Sequence, residues 1–117
     1  MDKFQYSIIY AVLRSEISEQ LSVGLIIVNG KDIEVRYSKN KLKALQGLMS
    51  KDEQKFISRV VVSMRNNKDI KSVDSINYLT RYSNNLISIS PLITIDLPPT
   101  SLNKDWLYRN YVYDKTT

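Results

Sequence analysis

The sequence predicts an α+β domain in which an antiparallel sheet carries three or four helices packed on one face. Three observations predict this class: nonpolar residues alternate with a period of two through residues 5–38, the spacing becomes helical from Lys39, and alternation returns at residues 86–95. Because 117 residues suit one hydrophobic core, we expect a single domain spanning residues 1–117. The sheet should have four or five strands.

Residues 5–38 are expected to form an antiparallel meander. Residues 6–13 place nonpolar side chains on both sides of the chain, which predicts a central strand. A second strand is predicted from four alternating residues, Leu21, Val23, Leu25 and Ile27. An Asn-Gly pair at residues 29–30 is a strong turn signal, and residues 33–37 then form a third strand. Glu34 and Arg36 would lie on its solvated face.

Two helices are expected next. The segment Lys39–Gly47 has leucines at helical spacing and should be a short helix that ends at its glycine. Ser50 and Glu53 then form a capping box at the start of a longer helix that should run to about Asn66. Five nonpolar residues give this helix its buried stripe: Phe56, Ile57, Val60, Val61 and Met64.

The last third of the chain predicts a short helix over residues 76–82, a strand over residues 86–95 and a final helix capped by Ser101. Pro91 cannot donate a ladder hydrogen bond, so it places the late strand at an edge or breaks it in two. Two alternative faces of the final helix could be buried: Leu102, Trp106 and Tyr113, or Leu107, Tyr108 and Tyr111.

Composition limits the chemistry of this protein. The chain has no Cys and no His, which removes disulfides, thiolate nucleophiles and the commonest zinc and haem ligands. We therefore expect no cofactor and no metal. No nonpolar run approaches the roughly 20 residues that span a bilayer, and the N-terminus has no export signal. A cytoplasmic protein without membrane association is expected.

The partner-binding candidates come from two segments. The polar stretch between the first two strands is interpreted as a long connection that carries Arg14, Glu16 and Glu19 at its rim. The aromatic C-terminus cannot turn every ring to one face of a helix, so Trp106 and its neighbours Tyr108 and Tyr111 should include exposed anchors. The first hypothesis is therefore a noncatalytic protein-interaction or regulatory module, and self-association is compatible with it.

Two other functional classes stay open. A formal net charge of +5 would favour nucleic acid if the basic residues clustered, and the candidates for such a surface are Arg36, Lys39, Lys41 and Lys43. An enzyme without histidine could use Glu16, Glu19 or a lysine. The solvated faces of helices and hairpin ends also need such charges, and no spacing typical of a metal or phosphate site is present.

Three segments carry a family resemblance. "YSIIYAVLRSEISEQLSVG" (6–24), "YLTRYSNNLISIS" (78–90) and "LYRNYV" (107–112) resemble the bacterial domain of unknown function 3037 family, with Tyr6–Ile9, Glu19 and Gly24 on family positions. The chain departs from the family pattern at several polar positions, Tyr10, Ile17, Ser18, Gln20 and Ser22. The resemblance implies no activity. It implies a small companion of a HipA-like kinase-fold protein, because genes of the two kinds are often neighbours.

Overall fold

A computed structural model describes residues 4–17, 19–30, 32–66, 78, 81 and 86–112. Within these residues the protein has one antiparallel five-stranded sheet and three α-helices. In chain order the elements are β1 (Phe4–Arg14), β2 (Glu19–Asn29), β3 (Asp32–Tyr37), α1 (Lys39–Ala44), α2 (Lys51–Asn66), β4 (Ile87–Ile89), β5 (Ile93–Ile95) and α3 (Ser101–Tyr111). The α+β class and the antiparallel sheet are confirmed.

The predicted meander is present, and β1 is its central strand. β1 pairs with β2 on one side and with β4 and β5 on the other, while β3 continues from β2. β1 and β2 are longer than expected, because Arg14 and Glu19 are Cα partners at the end of the ladder. The interpretation of the polar stretch as a long connection is therefore wrong. In the β2–β3 hairpin, Gly30 has a φ of +63°, which glycine adopts without strain.

A β-bulge divides β2 into two halves with opposite side-chain directions. Ile9 pairs with Gly24 and Tyr10 pairs with Ser22, so Val23 is the extra residue. Leu25 and Ile27 consequently face one side of the sheet, whereas Leu21 and Val23 face the other. The predicted single period of two across β2 is wrong for this reason. Gly24 lies at the bulge, where an added Cβ would come within 2.7 Å of the Arg36 carbonyl oxygen.

β4 and β5 form one interrupted edge strand along β1. Ile87–Ile89 pairs with the second half of β1 and Ile93–Ile95 with its first residues, so Pro91 lies in the gap as predicted. Ser90 bridges the gap: its backbone N–H donates to the Ile8 carbonyl at 3.0 Å, and its Oγ accepts from the Ile8 N–H at 2.8 Å. The proline therefore splits the strand without separating it from the sheet.

One face of the sheet packs against α1 and α2, and we call it the α2 face. The capping box is confirmed, since Ser50 Oγ accepts from the Glu53 N–H at 3.2 Å and Glu53 Oε1 accepts from the Ser50 N–H at 3.3 Å. The predicted stripe of α2 is buried in this layer, with Phe56 only partly covered. The buried residues of the whole layer, from the sheet and from the helices, are Ile9, Ala11, Val23, Ile26, Val28, Val35, Leu42, Leu45, Ile57, Val60, Val61, Met64 and Ile87.

The opposite face packs against α3, and we call it the α3 face. Its buried members are Phe4, Tyr6, Ile8, Leu25, Ile27, Leu107, Tyr108 and Val112. The expectation that all helices lie on one face of the sheet is therefore wrong. The reason is visible in β1, where alternate residues are nonpolar on both sides, so that each side needs a covering layer.

The ends of the remaining helices agree with the sequence in part. α3 is capped by Thr100, whose Oγ1 accepts from the Asn103 N–H at 3.2 Å, and not by the predicted Ser101. The predicted helix over residues 76–82 lies outside the described residues except for Tyr78 and Arg81, which are both helical.

Candidate functional site

Arg14, Glu16 and Glu19 are exposed at one end of the β1–β2 hairpin. Arg14 ends β1, Glu19 begins β2, and Glu16 lies in the 3-10 helix Ser15–Ile17 that joins the two strands. Ile17 is exposed beside them. The two candidate acids are therefore surface residues at a hairpin end, and neither is enclosed in the core.

The three aromatic candidates of α3 have different environments. Trp106 is 47% exposed, Tyr108 is 8% exposed and Tyr111 is 38% exposed. Tyr6 donates a 3.2 Å hydrogen bond to the Tyr111 hydroxyl, and the two ring centroids are 5.3 Å apart. Burial, together with this hydrogen bond, raises the pKa of Tyr6 to about 12. Tyr111 thus contacts β1 and Tyr108 is buried in the layer beneath α3. Of these three aromatic residues, Trp106 is the most exposed.

The hairpin end and the aromatic helix do not form one site. Tyr111 lies against Tyr6 near the start of β1, whereas Arg14 ends the same strand. Tyr6 and Arg14 are eight positions apart in this extended strand, which corresponds to about 25 Å at roughly 3.3 Å a residue. A partner could contact both only through a large interface, so the two groups are treated as separate surfaces.

Four charged side chains join α3 to β3. Arg36 Nη1 lies 2.7 Å from Asp105 Oδ1, Lys104 Nζ lies 3.1 Å from Glu34 Oε1, and Arg36 Nε also donates to Glu34 Oε2. Glu34 and Arg36 were expected on a solvated face of β3. They are half-buried instead, because α3 covers that face.

The pKa values of this network follow from its contacts. Burial alone would raise the pKa of Glu34, but the hydrogen bonds from Arg36 and Lys104 outweigh it, so the pKa is lowered. Burial would likewise lower the pKa of Arg36, and its bonds to Glu34 and Asp105 raise it instead. The contacts of Glu34 and Arg36 therefore favour the charged form of each of these two side chains.

A cavity of about 570 Å³ lies between β3 and the side of α3, and the described residues that line it are Arg36, Leu102, Asp105, Tyr108 and Arg109. Leu102 is 73% exposed and lies one helical turn before Trp106. Arg109 lies one turn after Asp105 and is exposed, and its side chain has no ion pair or hydrogen bond within the described part of the chain. We call Leu102, Trp106 and Arg109 the outer stripe of α3.

Sequence reasoning missed Arg109 and Asp105 and treated Leu102 only as a core alternative. A usable signal was present, because Leu102, Trp106 and Arg109 have the i, i+4, i+7 spacing of one helical face. The structure decides between the two predicted faces of α3: Leu107 and Tyr108 are buried, and Leu102 and Trp106 are exposed.

The four basic candidates for nucleic acid do not form one free cationic patch. Arg36 is engaged by Glu34 and Asp105. Lys41 Nζ donates to the Ser22 carbonyl at 2.9 Å and to its hydroxyl at 3.2 Å. Of the four, Lys39 and Lys43 are the exposed ones, one turn apart on α1.

The described residues contain neither a cluster suited to a metal ion nor a helix suited to a membrane. No group of three or more acidic side chains there is arranged to hold a metal ion. No helix in the same ranges is long and apolar enough to cross a membrane.

Comparisons with family models, with curated proteins and with solved structures found no match to this chain. The resemblance to the domain of unknown function 3037 family therefore stays a prediction. A function is therefore inferred from the geometry of α3.

Proposed function

We propose that this protein is a noncatalytic protein-interaction module and that the outer stripe of α3 is its contact surface. The observation that carries the proposal is the exposure of Leu102 (73%) and Trp106 (47%) on one side of a helix beside a cavity of about 570 Å³. Isolated exposed nonpolar residues are common on proteins. Here an exposed leucine that lines the cavity lies one helical turn from an exposed tryptophan, the residue type most typical of the anchors of protein interfaces.

The rigidity of α3 also supports this function. Leu107, Tyr108 and Val112 are buried against β1 and β2, and Lys104 and Asp105 pair with β3. A partner would therefore meet side chains on a helix that is already fixed in place, which lowers the conformational entropy lost on binding.

We further propose that the module is regulatory and that its partner is a HipA-like kinase-fold protein. This finer proposal comes from the family resemblance of residues 6–24, 78–90 and 107–112 and from the gene neighbourhood of that family. The outer stripe of α3 would be the surface that meets this partner.

Purification of the full chain from its native source, at low and at moderate salt, tests the proposal. A protein partner should copurify and be identified by mass spectrometry. The variant Leu102→Ser should retain at most about a tenth of it, since losing a buried interface anchor that contributes about 1.4 kcal/mol or more weakens the affinity at least tenfold.

Leu48→Ser is the matched control, because Leu48 is 55% exposed and lies outside α3. It should leave the amount of partner unchanged. Recovery of a monomer without a partner, or equal losses with Leu102→Ser and Leu48→Ser, would contradict the proposal. A complex that contains only copies of this chain would exclude the kinase-fold partner.

A further inference from the structure

Arg109 is the exposed charge at the cavity that the described structure leaves uncompensated. The other guanidinium of the cavity, Arg36, is bound by Glu34 and Asp105. Asp105 is therefore already paired, and so is Glu34, which also accepts from Lys104. Arg109 has no such carboxylate within the described ranges. A carboxylate of a ligand could pair with Arg109 without breaking an existing ion pair. A cation of a ligand would have to displace Arg36 or Lys104 from the carboxylate that it already binds.

The cavity also has a nonpolar part. Leu102 and the ring of Tyr108 line it, and Tyr108 is buried in the α3 face. A nonpolar side chain of a ligand would displace the water in contact with these groups. Removing nonpolar surface from water in this way is favourable by about 25 cal/mol for each Å² buried. The cavity therefore combines a nonpolar wall with a free arginine at its edge.

A second cavity serves as a comparison. It is smaller, about 280 Å³, and the described residues that line it are Phe4, Gln5, Val28, Gly30 and Thr94. None of these described residues carries a charge, so the described lining gives no electrostatic preference among ligands.

We propose that the cavity beside α3 binds an acidic segment of the partner protein, with a nonpolar side chain against Leu102 and Tyr108 and a neighbouring carboxylate paired with Arg109. The inference rests on the proposed function and specifies the chemistry of the partner at the same surface. The formal net charge of +5 would also favour the approach of an acidic segment.

Three short acetylated and amidated peptides are suitable probes. The first alternates aspartate with leucine, the second alternates lysine with leucine, and the third alternates aspartate with serine. Trp106 is the only tryptophan of the chain and lies one helical turn after Leu102, so a change in its fluorescence on adding peptide is a suitable measure of binding near the cavity. We expect the aspartate–leucine peptide to bind at least tenfold more tightly than either of the others.

Arg109→Glu should weaken binding of the aspartate–leucine peptide at least fivefold, and Arg109→Gln should have an intermediate effect. The matched control is Arg59→Glu on α2, because Arg59 is also exposed and its replacement changes the net charge by the same amount. It should change the affinity less than twofold. Circular dichroism would verify that each variant is folded.

Each failure has a distinct meaning. If the lysine–leucine peptide binds as tightly as the aspartate–leucine peptide, or if Arg109→Glu and Arg59→Glu have equal effects, the acidic specificity is wrong and the contact surface stands. If the aspartate–leucine peptide does not bind at millimolar concentration, the inference is wrong. The proposed function is then judged separately by whether Leu102→Ser loses the natural partner.

Discussion

The two faces of the sheet are built differently. The α2 face is mainly aliphatic, and α1 and α2 cover it with nonpolar side chains. The α3 face has fewer buried members among the described residues, includes tyrosines, and is closed at β3 by ion pairs. The cavity of about 570 Å³ lies on this second face.

The comparison separates stability from recognition. A closely packed aliphatic layer stabilises the fold, but it presents no large side chain for a partner. In the described part of the chain, α3 on the other face buries one side and leaves Leu102 and Trp106 outside. We therefore expect the α2 face to carry most of the free energy of unfolding and the α3 face to carry the binding surface.

The largest effect is expected from removing a buried aliphatic side chain from each face. Ile57 in α2 and Leu107 in α3 are both 0% exposed, and such truncations typically cost about 2–5 kcal/mol. Ile57→Ala should lower the global free energy of unfolding by the larger amount. In Leu107→Ala the helix α3 can detach while the rest stays folded, which limits the global loss.

Urea denaturation and amide hydrogen exchange measure the two outcomes. Leu107→Ala should speed exchange in α3 far more than in α2, and Ile57→Ala should speed both. Equal global losses with equal exchange rates in α2 and α3 would show that the faces unfold as one unit. The exposed residue Leu48 provides a control, since Leu48→Ala should change stability by less than about 0.5 kcal/mol.

A smaller effect is expected at the bulge that sets which residues of β2 face each side. Gly24→Ala would place a Cβ 2.7 Å from the Arg36 carbonyl oxygen, and such overpacking typically costs about 1–3 kcal/mol. Gly47→Ala is the matched control, because its Cβ would meet no atom within 4 Å. It should be neutral or stabilising by up to about 1 kcal/mol. Similar thermal midpoints for the two variants would contradict a packing role for Gly24.

The smallest effect concerns the ion pairs that close the α3 face. Because the pKa of Glu34 is lowered in the folded state, its charge stabilises the protein above the ordinary carboxylate range, and this contribution is lost as the pH falls through the folded pKa. Since Glu34 is partly exposed, we expect at most about 1 kcal/mol. Glu34→Gln should flatten the acid side of the stability curve measured by urea denaturation.

Glu16→Gln is the control for that measurement, because Glu16 is exposed and has no ion pair in the described structure. Its stability curve should keep the slope of the unmodified protein. An unchanged slope in Glu34→Gln would mean that these ion pairs do not stabilise the attachment of α3.

The sequence correctly predicted those features that depend on residues close together in the chain. The capping box of Ser50 and Glu53, the break at Pro91 and the period of β1 all depend on near neighbours, and each is present. The N-cap of α3 was predicted one residue too late, because Thr100 and Ser101 are both good N-cap residues. The bulge at Val23 was missed, because an inserted residue depends on the partner strand.

The sequence by itself determined the fold class, the order of the strands in the meander and the buried stripe of α2, since these follow from the periodicity of nonpolar side chains. Only the tertiary structure decided which side of α3 is buried, that α3 lies on the opposite face from α2, and that Glu34 and Arg36 pair with Lys104 and Asp105. The physical reason is distance along the chain: β3 and α3 are about seventy residues apart. The charged side chains of β3 and α3 come together only in the folded protein, where helices cover both sides of β1.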